Sequence, residues 1–240
     1  MLELLDLQRL ALRRGTCPLC GPTLIIRLRD RDVGVRCLRC GASVVSAAMV
    51  ATIRRRSPDL SELHVYELSS RGPVYRYLRE HAGRLTVSEY FEGVASGEYV
   101  HGVPCQDVQA LTWDSDSFDI CTSTEVFEHV ADDRRGFREI YRVLKPGGWF
   151  IFTVPMHDMP MTLERARLVD GKIVHLEPPE YHGDHLRSQH RVLAFRDYGL
   201  DICERIVSAG FVKVESELFP YGGWFGFFRP VLSARKPPAN

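Results

Sequence analysis

The chain has 240 residues, 45% of them hydrophobic and 26% charged, with 31 basic and 31 acidic side chains. This composition is typical of a globular protein, and the length allows one large domain with a small appendage. The longest weakly polar run, residues 43–53, is far shorter than the roughly 20 apolar residues of a membrane-spanning helix. We therefore expect no membrane span.

The N-terminal quarter differs in charge from the rest of the chain. Residues 1–60 carry 11 Lys and Arg against 5 Asp and Glu, whereas residues 61–240 carry 20 against 26. This predicts two units, residues 1–57 and 58–240, of which the basic one could contact RNA or simply present a solvated arginine surface. Its start, MLELLDLQRLALRRG, predicts an amphipathic helix without a signal-peptide cleavage site, which favours a cytoplasmic protein.

Four of the seven cysteines form two C-x-x-C pairs, and these are Cys17, Cys20, Cys37 and Cys40. The 16 residues between the pairs give the spacing of a tetrahedral zinc site with four thiolate ligands. The intervening sequence predicts two short strands, so we expect a zinc ribbon that folds mainly because metal binds. Four thiolates fill the tetrahedron, and the zinc is therefore expected to be structural.

Beyond the ribbon, strand and helix patterns alternate, which predicts an α/β domain with a largely parallel sheet. The expected strands are residues 63–68, 85–90, 99–103, 118–122 and 149–154, with a final hairpin of 212–218 and 224–232. The expected helices are residues 44–56, 73–81, 125–131, 134–144 and 200–209. Residues 155–196 show no clear period and carry five of the nine histidines. Their position after a strand predicts a substrate-binding insert.

The segment 107–155 contains the motif EVFEHV and, further on, FREIYRVLKPGGWFIFTVP. These motifs closely resemble the fourth and fifth strand region of class I S-adenosylmethionine-dependent methyltransferases. The resemblance implies a Rossmann-like sheet of seven strands ending in an antiparallel pair, with S-adenosylmethionine as the cofactor. It also implies methyl transfer to the oxygen or nitrogen of a small polar molecule, such as a sugar or secondary metabolite.

The stretch HVYELSSRGPVYRYL has the strand, turn and helix layout of a cofactor loop. In the family, three glycines follow the acidic residue that ends the first strand, here Glu67. Their positions hold Ser69, Arg71 and Pro73 in this sequence, and Gly72 is displaced by one. Because glycine permits close backbone approach, the loop is either modified or has lost its ligand.

Several groups in this loop could still hold a cofactor. Ser69 and Ser70 carry hydroxyls that can form hydrogen bonds, and Arg71 could pair with the methionine carboxylate of the cofactor. Gly72 and Pro73 open a helix whose N-terminus offers unpaired amides. We therefore favour a modified cofactor loop.

Further cofactor residues are implied by the resemblance. Glu89 matches the acidic residue that accepts both ribose hydroxyls, a task suited to a carboxylate with two oxygens. Asp107 matches the residue that accepts from the adenine amino group, and Val108 lies beside the ring. Glu125, in EVFEHV, completes the implied cofactor set.

A hydroxyl acceptor also needs a general base, and histidine titrates near neutrality. The candidates are His129 in FEHV, His157 after the fifth strand, and His182 or His185 in the insert. Some ubiquinone-pathway O-methyltransferases that resemble this stretch use the equivalents of Glu125, Glu128 and His129 with a divalent metal. Adjacent residues of a helix point to different sectors, which argues against such a site unless the turn distorts.

Two alternatives to a small-molecule enzyme remain. The ribbon could recognise RNA for a nucleic-acid methyltransferase, in which case RNA binding should depend steeply on salt. The acidic excess after residue 60 argues against wrapping a polyanion. Alternatively, the domain could keep the fold as a binding module without turnover, as the missing glycines would suggest.

Overall fold

The computed structural model describes residues 10–29, 32–183, 191–218 and 224–239. The first of these residues form a small antiparallel sheet. Its strands, paired in this order, are β1 (Ala11–Cys17), β2 (Gly21–Arg27) and β3 (Val35–Cys37). The helix predicted at the N-terminus is wrong from Ala11 onward, where the chain pairs with β2. Gly15 and Thr16 are weak helix formers, and pairing satisfies their backbone groups. Residues 1–9 lie outside the described residues.

One helix joins this small sheet to a larger one. The helix α1 (Val44–Arg56), present as predicted, begins after Ser43, whose side chain accepts a hydrogen bond from a backbone amide of the first turn. Met49, Val50 and Ile53 are fully buried and pack against strands of the larger sheet. The boundary between two units stays a prediction, and α1 from the first unit packs on the sheet of the second.

With two exceptions described below, at residues 99–103 and 125–131, the remaining elements up to the insert alternate between strand and helix broadly as predicted. They are β4 (His64–Glu67), α2 (Gly72–His81), β5 (Arg84–Val87), β6 (Tyr99–Val100), β7 (Val103–Pro104), β8 (Phe118–Thr124), α3 (Asp133–Val143), β9 (Leu144–Thr153), β10 (Leu163–Glu164), β11 (Ala166–Val169), β12 (Lys172–His175), β13 (Tyr181–Gly183), β14 (Arg191–Leu193), β15 (Arg196–Asp197), α4 (Ile202–Val207), β16 (Val212–Leu218) and β17 (Pro230–Arg235).

A mixed sheet of six strands lies at the centre, in the order β16-β17-β9-β8-β4-β5. The strands β5, β4, β8 and β9 run parallel to one another, whereas β17 and β16 are antiparallel. The prediction of an α/β fold that ends in an antiparallel pair is confirmed. The carboxyl ends of the parallel strands therefore share one edge, where such folds bind ligands.

The expected seventh strand is absent from this sheet within the described residues. Residues 99–103 instead lie in a short hairpin of β6 with β7, because His101 and Gly102 adopt left-handed conformations and reverse the chain. A single parallel bridge from Glu89 to Cys105 continues the sheet beyond β5. The prediction of seven strands is therefore not confirmed for the described part of the chain.

Helices pack on both faces of the sheet. Successive side chains of β9 point to opposite faces, and each set of side chains packs against a different set of helices. Ile151 packs with α1 on one face, while Phe150 and Phe152 pack with α3 and α4 on the other. The helix predicted at residues 125–131 is wrong, since the chain forms only the 3₁₀ turn Phe127–His129 there. None of the helices in the described ranges is long and apolar enough to cross a membrane.

The insert is more regular than its sequence predicts. Its described residues form three antiparallel pairs, β10 with β15, β11 with β12 and β13 with β14, and residues 184–190 lie outside the described residues. Asp170 and Gly171 take the left-handed conformations of a two-residue turn between β11 and β12. Most residues of this hairpin are exposed, so its strands lack the alternation of apolar and polar residues that predicts a strand from sequence.

The C-terminal segment returns to the small sheet before the final strand. Trp224 is fully buried beside Cys17, Ile25 and Cys37, and its indole N–H donates to the Thr16 carbonyl at 3.2 Å. This packing displaces the final strand, which begins six residues later than predicted. The small sheet and the C-terminal segment thus share one core.

Candidate functional site

The loop after β4 turns back toward the end of β5. The Ser69 and Ser70 hydroxyls and the Ser70 amide donate to Glu89 Oε1 at 3.0, 3.0 and 2.9 Å. Arg71 Nε lies 3.7 Å from the same oxygen, so the structure places the arginine beside the predicted ribose carboxylate. Gly72 has a φ of 88°, which only glycine adopts without strain, and it opens α2.

Glu67 lies at the end of β4 and is 1% exposed. Its carboxyl group accepts a hydrogen bond from the Thr122 hydroxyl on the neighbouring strand. Burial, helped by the nearby Glu89 carboxylate and opposed by the Thr122 hydrogen bond, raises the pKa of Glu67 to about 8. The structure thus makes Glu67 a buried acid beneath the loop, and the cavity described below is lined by its neighbours.

Replacing Glu67 by glutamine should make the protein less sensitive to alkaline pH. The pKa of Glu67 is about 8 in the folded chain against 4.5 for an ordinary glutamate, so between these values the folded state keeps a proton that the unfolded state releases. The free energy of unfolding therefore falls as pH rises through this window, by an amount on the order of 4 kcal/mol. Glutamine has no proton to release.

Denaturant unfolding of both proteins at pH 5 and pH 8 measures this effect. The stability of Glu67→Gln should change less over the interval than that of the parent chain. Glu62→Gln, at an exposed position two residues before β4, is the control and should follow the parent. Parallel pH curves for Glu67→Gln and the parent would contradict the buried acid.

A cavity of about 430 Å³ lies at the carboxyl edge of the sheet. Glu89, Asp107 and Val108 line it, and so does His129, which lies more than 20 residues further along the chain. Asp107 Oδ1 accepts from the Gln109 amide at 2.9 Å, which fixes its carboxylate at a turn. The structure thus brings three predicted cofactor residues and one predicted base to the same cavity.

The base candidate His129 is oriented by the insert. Its Nδ1 lies 2.8 Å from the Leu193 carbonyl, which can only accept, so Nδ1 carries the proton and Nε2 is the basic nitrogen. The Phe195 amide donates to the Glu128 carbonyl at 2.7 Å and ties the same turn to the insert. Residues 193–195 therefore set the orientation of the turn that carries the histidine.

Glu128, His129 and His182 form a second group of possible metal ligands, with one ligand atom from each lying within 4.8 Å of the others. The argument that adjacent residues 128 and 129 diverge applies only to a helix. Here the turn is distorted into a 3₁₀ turn, which leaves Glu128 Oε1 3.5 Å from His129 Nε2. Among the described residues, neither carboxyl oxygen of Glu128 has a hydrogen-bond partner. One carboxylate and two imidazoles suit a divalent transition metal.

Burial and the Glu125 carboxylate raise the pKa of Glu128 well above its usual range. Glu125 has a left-handed backbone with a φ of 52°, and its side chain lies 4.0 Å from the Arg229 guanidinium. Arg229 in turn pairs with Asp32 of the small sheet region at 2.6 Å. Neither Glu125, a predicted cofactor residue, nor Arg229 lines the described cavity.

Of the other histidine candidates, His157 and His185 are not assembled with this group. His157 follows β9 as predicted but lies exposed, with its backbone amide bonded to the Tyr198 carbonyl, and it does not line the cavity. His185 lies outside the described residues. His182 is half-buried on β13, and its ring centroid is 4.9 Å from that of His129.

Sequence reasoning missed the insert residues that complete the site. Leu168 and Ile173 of the β11 and β12 hairpin, with Val192, Leu193 and Phe195, give the cavity an apolar wall. These residues are distant in sequence from the strand ends, and no motif marks them. A pattern could have indicated only the apolar run VLAF, which contains three of the five.

The four predicted zinc ligands are brought together on the turns of the small sheet. Cys17 Sγ lies 3.6 Å from Cys40 Sγ, and Cys20 Sγ lies 3.5 Å from Cys37 Sγ. All four sulfurs are within 4.8 Å of one another. Zinc–sulfur bonds of about 2.3 Å in a tetrahedron put sulfurs about 3.8 Å apart, so the cluster fits structural zinc.

Removing one of these ligands should release zinc and expose Trp224. Cys37→Ser leaves three thiolates, which should cut the metal content from about one zinc per chain to a small fraction. Since Trp224 packs in the same core as Cys37, its fluorescence should shift to the red in a chain where Trp113 and Trp149 are phenylalanine. Cys203→Ser, at a thiol outside the cluster, is the control. A zinc-free parent with buried Trp224 would contradict the assignment.

Comparison with known proteins supports the methyltransferase fold. Residues 69–152 match the family model described as a methyltransferase domain. Ubiquinone biosynthesis O-methyltransferase from Coxiella burnetii is 43% identical over 49 residues, which are 20% of this chain and 21% of that protein. The chain therefore aligns with about a fifth of the length of the curated relatives it matches.

Solved structures share the fold over most of the chain. An S-adenosylmethionine-dependent methyltransferase from Mesorhizobium loti superposes with a TM-score of 0.51 at 18% identity, covering 80% of this chain and 100% of that one. The glycopeptide N-methyltransferase MtfA, complexed with sinefungin, gives a TM-score of 0.53 at 19% identity, covering 82% and 95%. At these identities the likeness concerns the fold. Together with the family match over residues 69–152, it supports the prediction of a methyltransferase fold.

Proposed function

We propose that this protein is an S-adenosylmethionine-dependent methyltransferase that methylates an oxygen or nitrogen of a small molecule. The cavity supports the proposal, because it joins Glu89, Asp107 and Val108 with the oriented His129. S-adenosylmethionine supplies an electrophilic methyl group when it is bound. A cofactor held by the first three residues would share the cavity with a base for the acceptor.

The residues of the chain then have separate tasks. Glu89 accepts the ribose hydroxyls, and Asp107 accepts from the adenine amino group beside Val108. His129 Nε2 takes the proton from the acceptor, since Nδ1 is committed to the Leu193 carbonyl. Alignment of the acceptor and removal of its proton are the main contributions an enzyme makes to such a displacement.

The shape of the cavity also bears on the acceptor. Five apolar residues of the insert line it together with the predicted cofactor residues. A molecule with an apolar ring could pack on this wall while its hydroxyl or amine reaches His129. We therefore include hydroxylated aromatic compounds among the acceptors, besides the small polar molecules that the sequence predicts.

A divalent metal would change the task of His129. Glu128, His129 and His182 would hold the ion, which would lower the pKa of an acceptor hydroxyl bound to it. The chain would still orient these ligands through the Leu193 carbonyl and the Phe195 amide. Activity with and without a chelator distinguishes the metal site from a histidine base.

Calorimetric titration of S-adenosylmethionine and S-adenosylhomocysteine into the full chain tests the cofactor site. Micromolar binding is the expected result, followed by transfer of labelled methyl from the cofactor to members of an acceptor panel. Absence of binding by folded protein would support a binding module without turnover. Salt-dependent RNA binding would instead favour the nucleic-acid alternative, for which the exposed Arg13 and Arg14 of β1 are candidate contacts.

A further inference from the structure

The contacts of Glu89 show how a loop without the usual glycines can serve the cofactor site. Among the described residues, all hydrogen bonds to the Glu89 side chain end on one oxygen, Oε1. Three donors reach it from Ser69 and Ser70. Glu89 is 8% exposed and lines the cavity.

We propose that Ser69 and Ser70 are positioning residues that fix the Glu89 carboxylate for the ribose of the cofactor. A carboxylate has two oxygens and about four acceptor sites. Bonds to Oε1 hold the group in one orientation and leave Oε2 to accept from ribose. This inference rests on the proposed function, because it concerns the same cofactor site.

The serines fit this task by size and by position. Ser69 stands where the resemblance places the first glycine, and its small side chain fits within the loop while reaching Glu89. Gly72 supplies the left-handed turn, with no atom within 4 Å of where its Cβ would be. The loop thus keeps one glycine for the turn and uses two hydroxyls to orient the carboxylate.

Binding to a carboxylate that is already fixed loses less conformational entropy than binding to a mobile one. Charge-assisted hydrogen bonds are stronger than neutral ones, so the serine contacts should hold Glu89 in place before the ligand arrives. If the serines instead competed with ribose for Glu89, their removal would tighten binding. The two roles therefore predict changes of opposite sign.

The test is calorimetric titration of S-adenosylhomocysteine into the full chain and the variant Ser69→Ala/Ser70→Ala. The variant should bind roughly tenfold more weakly while it still unfolds in one cooperative transition. Ser69→Gly should also weaken binding, although it restores the family's residue. Ser115→Ala, at an exposed serine away from the cavity, is the control.

A double-mutant cycle separates positioning from a general effect on the loop. In a Glu89→Gln background, the two serine changes should alter affinity by less than about twofold, because the charged acceptor they orient is gone. An equal loss in both backgrounds would overturn the proposal. Equal or tighter binding by the double serine variant, or tighter binding by Ser69→Gly, would overturn it while leaving the proposed function intact. A folded parent that binds no cofactor would overturn both.

Discussion

Replacing Glu89 by alanine should weaken the binding of S-adenosylmethionine roughly 100-fold. Two ribose hydroxyls that donate to a carboxylate form charge-assisted hydrogen bonds, and their loss costs about 3 kcal/mol in total. Glu89 is largely buried at the end of β5 and lines the cavity, so water replaces these bonds poorly. Calorimetric titration with the cofactor measures the change.

Two further variants make this experiment specific. Glu89→Gln keeps the size of the side chain but loses its charge, and it should fall between alanine and the parent. Glu98→Ala removes an exposed carboxylate of the same region that does not line the cavity, and it should bind as the parent does. Unchanged affinity in Glu89→Ala, in protein with the parent melting temperature, would remove Glu89 from the cofactor site.

The local parts of the site could be predicted from sequence. Glu89 follows β5 of the parallel sheet, which brings strand ends to one edge. Asp107 follows a single parallel bridge between Glu89 and Cys105 that continues this sheet. The structure places both at the cavity. The turn at His129 was less predictable, because the left-handed Glu125 that prevents a helix there depends on its surroundings. Helical spacing alone could not reveal it.

Contacts between distant segments were beyond sequence reasoning. The Leu193 carbonyl accepts a hydrogen bond from His129, which lies 64 residues away in sequence. The insert strand that carries Leu193 is too short to show the alternation of apolar and polar residues that predicts a strand. The first strand of the ribbon was also missed. Its pattern reads as an amphipathic helix in isolation, and only pairing with β2 makes it a strand.

Arg196 links the insert to the turn that carries His129. The guanidinium is 3% exposed and donates to the carbonyls of Phe127, Val130 and Ala131 at 3.0, 2.5 and 2.8 Å. Asp133 and Glu164 lie on its other side, so the buried charge is compensated. A buried ion with partners on both segments couples the position of the turn to that of the insert.

Replacing His129 by glutamine should lower the rate of methyl transfer by about 100-fold or more, because a positioned base typically contributes 10²–10⁴. The side chain lines the cavity but is separate from the predicted ribose and adenine contacts. Cofactor affinity should therefore stay within about threefold of the parent while kcat falls. Single-turnover transfer of labelled methyl, to an acceptor found in the panel, measures the rate.

His157→Gln is the matched control, since this histidine follows β9 but is exposed and outside the cavity lining. It should keep the parent rate. The same assay with a chelator tells whether His129 acts alone, because a metal held with Glu128 and His182 would make the parent inactive until a divalent ion is restored. Equal rates for His129→Gln and the parent would show that neither role is needed. The proton would then leave the acceptor without help from this turn, as it can for an amine that is already neutral.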